Sequence, residues 1–116
     1  MTTKTLLAAA ALIVLPPLVG AADPLPKPFM TGAQWLGMYE SGESGKEAAA
    51  AYVAGYVDGI QAAEATSRKK RFCIPETVTE LELADLVASY LAGKSVFRQM
   101  GAPFVIDGAL KGLYPC

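Results

Sequence analysis

Two cysteines carry the most specific chemistry of the sequence, Cys73 in the motif FCIP and Cys116 in the terminal YPC. A thiol that acts in redox chemistry needs a lowered pKa and a close partner, as in a CxxC motif. These cysteines are far apart along the chain, and the amino terminus has the features of an export signal. Two thiols in an exported chain oxidise together most simply. We therefore predict one structural disulfide, between Cys73 and Cys116.

The sequence contains no histidine, which excludes the commonest general base and the commonest metal ligand. A pair of carboxylates alone can hydrolyse glycosides. The carboxylates of Glu76, Glu80, Glu82 and Asp85 are better explained by helix capping and by the helix dipole, since they cluster at a predicted helix start. The sequence predicts a protein that is not an enzyme and that has no cofactor and no metal site.

Residues 1–22 have the pattern of a cleaved signal peptide. Lys4 gives the basic region, residues 6–18 are apolar and uncharged, and small residues allow cleavage near Ala21 or Ala22. The apolar run is too short for a comfortable membrane span, so we expect cleavage and no stable membrane insertion after it. A leader retained as an inner-membrane anchor is the alternative. A proline-rich arm over residues 23–30 and one helical domain over residues 31–116 should follow. The expected location is the periplasm.

The formal net charge of −1 gives no general field for polyanions, so nucleic acid is not an expected partner. One dense basic run breaks this balance: Arg68, Lys69, Lys70 and Arg71. The simpler interpretation is a solvated loop. The alternative is a contact for an acidic patch on another protein, because such a run can steer encounter.

Capping residues and apolar periodicity indicate helices over about residues 31–41, 44–66, 77–92 and 103–113, with an extra turn near residues 96–100. The predicted capping boxes are Thr31 with Gln34, Ser44 with Glu47, and either Thr77 with Glu80 or Thr79 with Glu82. Strand alternation with hairpin turns is lacking. The predicted fold is a small all-α domain of four to five helices with one disulfide.

The second helix carries small residues four apart: Ala51, Gly55, Gly59 and Ala63. Mid-helix glycine costs on the order of 1 kcal/mol relative to alanine, so this small-residue stripe suggests that another backbone approaches closely. Packing against a helix of the same chain is the preferred interpretation. A homodimer seam is the alternative.

The order and spacing of several short motifs resemble one known family. They are GYVxG at residues 55–59, FCIP at 72–75, EL at 82–83 before YL at 90–91, and AL at 109–110 before the terminal YPC. Together they resemble the Tai family, periplasmic immunity proteins that protect bacteria from peptidoglycan amidases delivered by type VI secretion. The resemblance runs from about Thr31 to the end. It implies a helical, typically dimeric, non-catalytic protein that occludes the active site of a toxin.

The chain departs from this family upstream, where members commonly have a further pair of cysteines. Met38 and residues 51–54 occupy those neighbourhoods here. Because both cysteines are missing together, no orphan thiol results. A periplasmic immunity protein that binds an amidase toxin is the leading hypothesis. The alternatives are a small periplasmic helical chaperone or stress protein, and an envelope accessory protein.

Overall fold

The computed structural model describes residues 27–116, and its regular structure consists entirely of helices. Their bounds are Gly32–Tyr39 (α1), Glu43–Glu64 (α2), Glu80–Ala92 (α3), Ser95–Gln99 (a short 3₁₀ helix) and Ala102–Leu113 (α4). The predicted all-α class is confirmed. The predicted signal peptide and residues 23–26 of the predicted arm lie outside the described residues. Within residues 27–116, no helix has the length and apolarity that crossing a membrane requires.

Two of the predicted capping boxes are present in the structure, and the predicted box of Ser44 with Glu47 is absent. The backbone N–H of Gln34 donates to Thr31 Oγ1 at 3.1 Å, and that of Glu82 donates to Thr79 Oγ1 at 3.1 Å. Ser44 with Glu47 does not cap α2, because this helix begins earlier. Its N-cap is Gly42, whose φ of 100° lies in a region that side chains disfavour. Gly42 allows the sharp turn from α1 and leaves Ser44 inside the first turn.

The core forms around Trp35, which is fully buried and whose Nε1 donates to the carbonyl of Ala49 at 3.1 Å. This hydrogen bond ties α1 to the first half of α2 while the indole ring fills the space between helices. The other large side chains that are almost fully buried come from all three longer helices: Val53, Val87, Leu91, Ile106 and Leu110.

The small-residue stripe packs against no other helix within residues 27–116, which contradicts the preferred interpretation of it. Its four residues, Ala51, Gly55, Gly59 and Ala63, are all exposed. Among the described residues, nothing lies within 4 Å of a Cβ placed on Gly55 or Gly59. The buried face of α2 is instead its Ala49, Ala50, Val53 and Val57 side. Helical spacing showed that the residues share a face, but it did not show which face the core covers.

Cys73 and Cys116 form a disulfide across 43 residues, with their Cα atoms 5.0 Å apart. The backbone N–H of Cys73 also donates to the carbonyl of Tyr114 at 2.8 Å. The loop between α2 and α3 is therefore fastened to the end of α4 by one covalent bond and one hydrogen bond.

Removing the disulfide should cost a large share of the stability of this domain. For the variant Cys73→Ala with Cys116→Ala, we expect the free energy of unfolding to fall by up to about 4 kcal/mol, because the unfolded chain regains the entropy of an open loop. Urea denaturation followed by circular dichroism measures the change. Stability equal to that of the parent would contradict this account, and so would free thiols in the denatured, unreduced parent protein.

Candidate functional site

The basic run lies in the loop after α2 and is exposed to solvent. Arg68 has a φ of 62°, which turns the backbone sharply at the start of the run. At its end, the backbone N–H of Arg71 donates to Glu64 Oε2 at 2.5 Å. The loop thus returns toward the last turn of the helix that it leaves.

Arg71 differs from the three preceding residues because Asp107 of α4 binds its guanidinium in two places. Arg71 Nε donates to Asp107 Oδ1 at 2.8 Å and Arg71 Nη2 donates to Oδ2 at 2.7 Å. Such paired contacts between a guanidinium and a carboxylate fix orientation as well as distance. The charge of Arg71 is therefore already paired inside the chain, although its side chain is 46% exposed, and its contact with a partner stays a prediction.

Asp107 gathers two further donors, although its side chain is only 14% exposed. Tyr56 Oη donates to Oδ1 at 2.9 Å, and Lys111 Nζ lies 2.9 Å from Oδ2. The hydrogen bonds from Arg71 hold the pKa of Asp107 well below its ordinary value, against the opposing effect of burial. Burial, together with the hydrogen bond to Asp107, raises the pKa of Tyr56 well above its ordinary value. Asp107 is therefore charged and Tyr56 neutral at neutral pH.

The remaining cations form the part of the run that a partner can reach. Arg68, Lys69 and Lys70 are exposed, and none of them takes part in the ion pairs found within residues 27–116. We call these three residues the basic loop. An open groove of ≈ 390 Å³ runs beside it, lined by Gln61, Glu64, Ala65, Arg68, Lys70, Phe72, Cys73 and Ile74. The cations of the basic loop can pair with carboxylates of another protein. The apolar residues of the groove, Ala65, Phe72 and Ile74, offer a small area for packing.

A second cluster connects α1, α2 and α3 at the surface. The Tyr39 hydroxyl donates to Asp85, and Lys46 Nζ lies 3.0 Å from Asp85 Oδ1. The hydrogen bond from Tyr39 lowers the pKa of Asp85, and the same bond raises that of Tyr39. The Lys46 and Asp85 side chains are 39% and 50% exposed, so water screens this pair.

Two of the four acidic residues considered for hydrolysis, Glu82 and Asp85, have structural roles. Glu82 completes the capping box of α3, and Asp85 pairs with Lys46. No group of three or more potential metal ligands occurs within residues 27–116. The basic loop is suited to protein contact, since its three cations are exposed and take part in none of the ion pairs within residues 27–116.

Comparison with known proteins identifies the family. The sequence model of the Rap1a immunity proteins matches residues 31–116, which is most of the chain. The chain therefore belongs to the Rap1a immunity protein family, which is related to the Tai proteins, so the resemblance seen in the sequence is confirmed. No curated protein matches the chain, and no solved structure does.

Family membership gives the general function. Rap1a proteins are non-enzymatic immunity proteins, and membership implies protection against an effector of type VI secretion. A cognate toxin is therefore the implied partner. The expectation that this chain is not an enzyme agrees with that membership.

Asp107 should stabilise the domain far more than Asp85. We expect Asp107→Asn to lower the free energy of unfolding by about 2 kcal/mol at neutral pH, because charge-assisted hydrogen bonds to a largely buried carboxylate are lost. The matched control, Asp85→Asn, should cost less than about 1 kcal/mol, because its ion pair is exposed. Chemical denaturation of both variants checks the difference, and equal losses would contradict it.

The contribution of Asp107 should also depend on pH. Because its pKa is lower in the folded state than in the unfolded chain, its stabilisation is present above about pH 4 and is lost as the pH falls toward the folded-state pKa. The gap in stability between the parent protein and Asp107→Asn should therefore narrow below about pH 4. A gap that stays constant would show that the charge of Asp107 is not responsible.

Proposed function

We propose that this chain is a periplasmic immunity protein that binds a peptidoglycan amidase delivered by type VI secretion and occludes its active site. The match of residues 31–116 to the Rap1a immunity proteins is the observation that carries the proposal. The identification of the toxin as an amidase rests on the sequence motifs shared with the Tai proteins. In this proposal residues 1–22 are a signal peptide cleaved near Ala21 or Ala22, and residues 31–116 are the immunity domain.

The disulfide supports the periplasmic location. Cys73 and Cys116 are the two cysteines of the sequence, and both are used in the bridge. Disulfides of this kind persist in oxidising compartments such as the periplasm, where cell-wall hydrolases also act. The toxin and its inhibitor would then meet in the same space.

We place the contact with the toxin at the basic loop. Its charges are exposed and unpaired within the described fold, so they are available to steer an acidic surface during encounter. Arg71 and Asp107 hold one end of the loop, and the disulfide follows two residues later. Such anchoring lowers the entropy lost on binding, since the loop is already ordered in the free protein.

A homodimer is the second part of the proposal. The small-residue stripe is exposed along α2, and the smooth surface of Gly55 and Gly59 allows another backbone to come close. We propose that the same face of a second copy packs there.

The inhibition should be stoichiometric and should respond to the basic loop. Purified protein should stop the cognate amidase at a ratio of one chain to one active site and should show no turnover of peptidoglycan by itself. Lys69→Gln with Lys70→Gln should slow association by roughly tenfold at low salt, because steering charges are lost. Stopped-flow binding measures the rate.

The matched control removes two exposed lysines from elsewhere on the surface, Lys27→Gln with Lys94→Gln. It should leave the association rate close to that of the parent protein. An equal effect of both pairs would exclude the basic loop as the contact while leaving the immunity function intact. Failure of the parent protein to inhibit any amidase delivered to the periplasm from the same genome would contradict the amidase proposal.

If the stripe is the dimer interface, a large side chain placed on it should prevent dimerisation and leave the monomer folded. Gly59→Leu should abolish the dimer, since a large side chain would enter the seam. The stability of the monomer should stay equal or rise by up to about 1 kcal/mol, because leucine favours helix over glycine. Gly112→Leu is the matched control, since Gly112 is an exposed helical glycine with open space outside the stripe. Analytical ultracentrifugation measures the mass of each variant in solution. If Gly59→Leu keeps the mass of the parent dimer, the stripe is not part of the dimer interface.

A further inference from the structure

One end of the domain displays large apolar side chains that the fold leaves uncovered. Phe29 has no cover at all, and Val96 and Phe104 are 74% and 64% exposed. Single exposed apolar residues are ordinary on a protein surface. Here they accompany Lys27 and Lys94, which are also exposed. We call these five residues the amino-terminal surface.

Backbone contacts bring the three segments of this surface to the same end of the fold. The N–H of Ala102 donates to the carbonyl of Met30, and the N–H of Gly32 donates to the carbonyl of Met100, both at 2.8 Å. The segment that bears Phe29 is thus joined to the start of α4, which bears Phe104. A Cβ placed on Gly32 would lie 2.8 Å from the carbonyl oxygen of Phe97, so the 3₁₀ helix that bears Val96 packs there as well.

The segments that bear this surface carry charges of one sign. Residues 27–34 and 94–106 contain Lys27, Lys94 and Arg98 and no aspartate or glutamate. None of these cations belongs to an ion pair found within residues 27–116. The amino termini of α1 and α4 also lie here and add the positive ends of two helix dipoles.

From this combination we infer that the amino-terminal surface docks the domain on a membrane leaflet that contains anionic phospholipid. Exposed aromatic rings beside lysines suit the boundary between headgroups and acyl chains, where rings enter and cations remain with phosphates. This inference goes beyond the proposed function, since it gives the inhibitor a location on the membrane surface.

The amino-terminal surface and the basic loop lie near different parts of α4. The amino-terminal surface includes Phe104 in the first turn of that helix. The chain that follows the basic loop contacts α4 farther along, at Asp107 through Arg71 and at Tyr114 through Cys73. Cys73 and its disulfide therefore adjoin the end of α4 that lies farther from Phe104.

Vesicle binding tests the inference on protein purified from cells that export it. We expect binding to vesicles of phosphatidylglycerol and phosphatidylethanolamine in equal parts, and much weaker binding to phosphatidylcholine alone. Lys27→Gln with Lys94→Gln should reduce binding to the anionic vesicles by about tenfold or more. Lys69→Gln with Lys70→Gln removes the same charge outside the amino-terminal surface and should leave vesicle binding unchanged. Equal losses for both pairs, or no binding by the parent protein, would overturn the inference.

The apolar contribution has its own control. Phe29→Ser with Phe104→Ser should also weaken vesicle binding, whereas Leu81→Ser, at an exposed leucine outside this surface, should not. Loss of a dimer in the phenylalanine variant with vesicle binding intact would assign the surface to a second copy and overturn the inference. Inhibition of the amidase in solution reports separately on the proposed function, because soluble substrate requires no membrane.

Discussion

The carboxylate of Asp107 is the interaction on which the geometry of the candidate site depends. It binds Arg71 from the loop, Tyr56 from α2 and Lys111 from its own helix. Three parts of the chain therefore converge on one side chain that is 14% exposed. Because a largely buried charge needs partners, each of these donors is held in place by the cost of leaving Asp107 without them. The disulfide of Cys73 then fixes the same loop two residues farther on.

This arrangement explains how a small domain can present cations without losing its own stability. Arg71 satisfies the internal carboxylate, and Arg68, Lys69 and Lys70 stay available on the outside. A basic run that looks uniform in sequence is thus divided between one anchoring arginine and three exposed cations, which are the contact that we propose. An inhibitor of this kind needs an ordered surface and no reactive group, which agrees with membership of an immunity family.

The sequence predicted local features well where one residue type has one physical role. Thr31 and Thr79 cap helices because each hydroxyl is followed three residues later by a side chain that returns the bond. Ser44 has the same pattern, but the left-handed turn at Gly42 starts α2 earlier. Sequence spacing grouped Gly55 with Gly59 correctly and could not show that Val53 and Val57 cover the core instead.

Asp107, on which the candidate site depends, was not predicted from the sequence, for a similar reason. Asp107 lies 36 positions from Arg71, so their pairing depends on how α4 packs against the loop. The spacing of Asp107 and Lys111 by four residues was the local signal for a charged helix face. It could not show that Tyr56 and Arg71 meet the same carboxylate.

Survival of cells under attack tests the central claim most directly. The candidate amidase would be directed to the periplasm of a sensitive strain that makes this protein either with its leader or without it. The account predicts that the exported form prevents lysis and that the form retained in the cytoplasm does not. Lysis at the same rate with both forms, at equal protein levels, would contradict the claim that this chain protects the cell by binding the amidase in the periplasm.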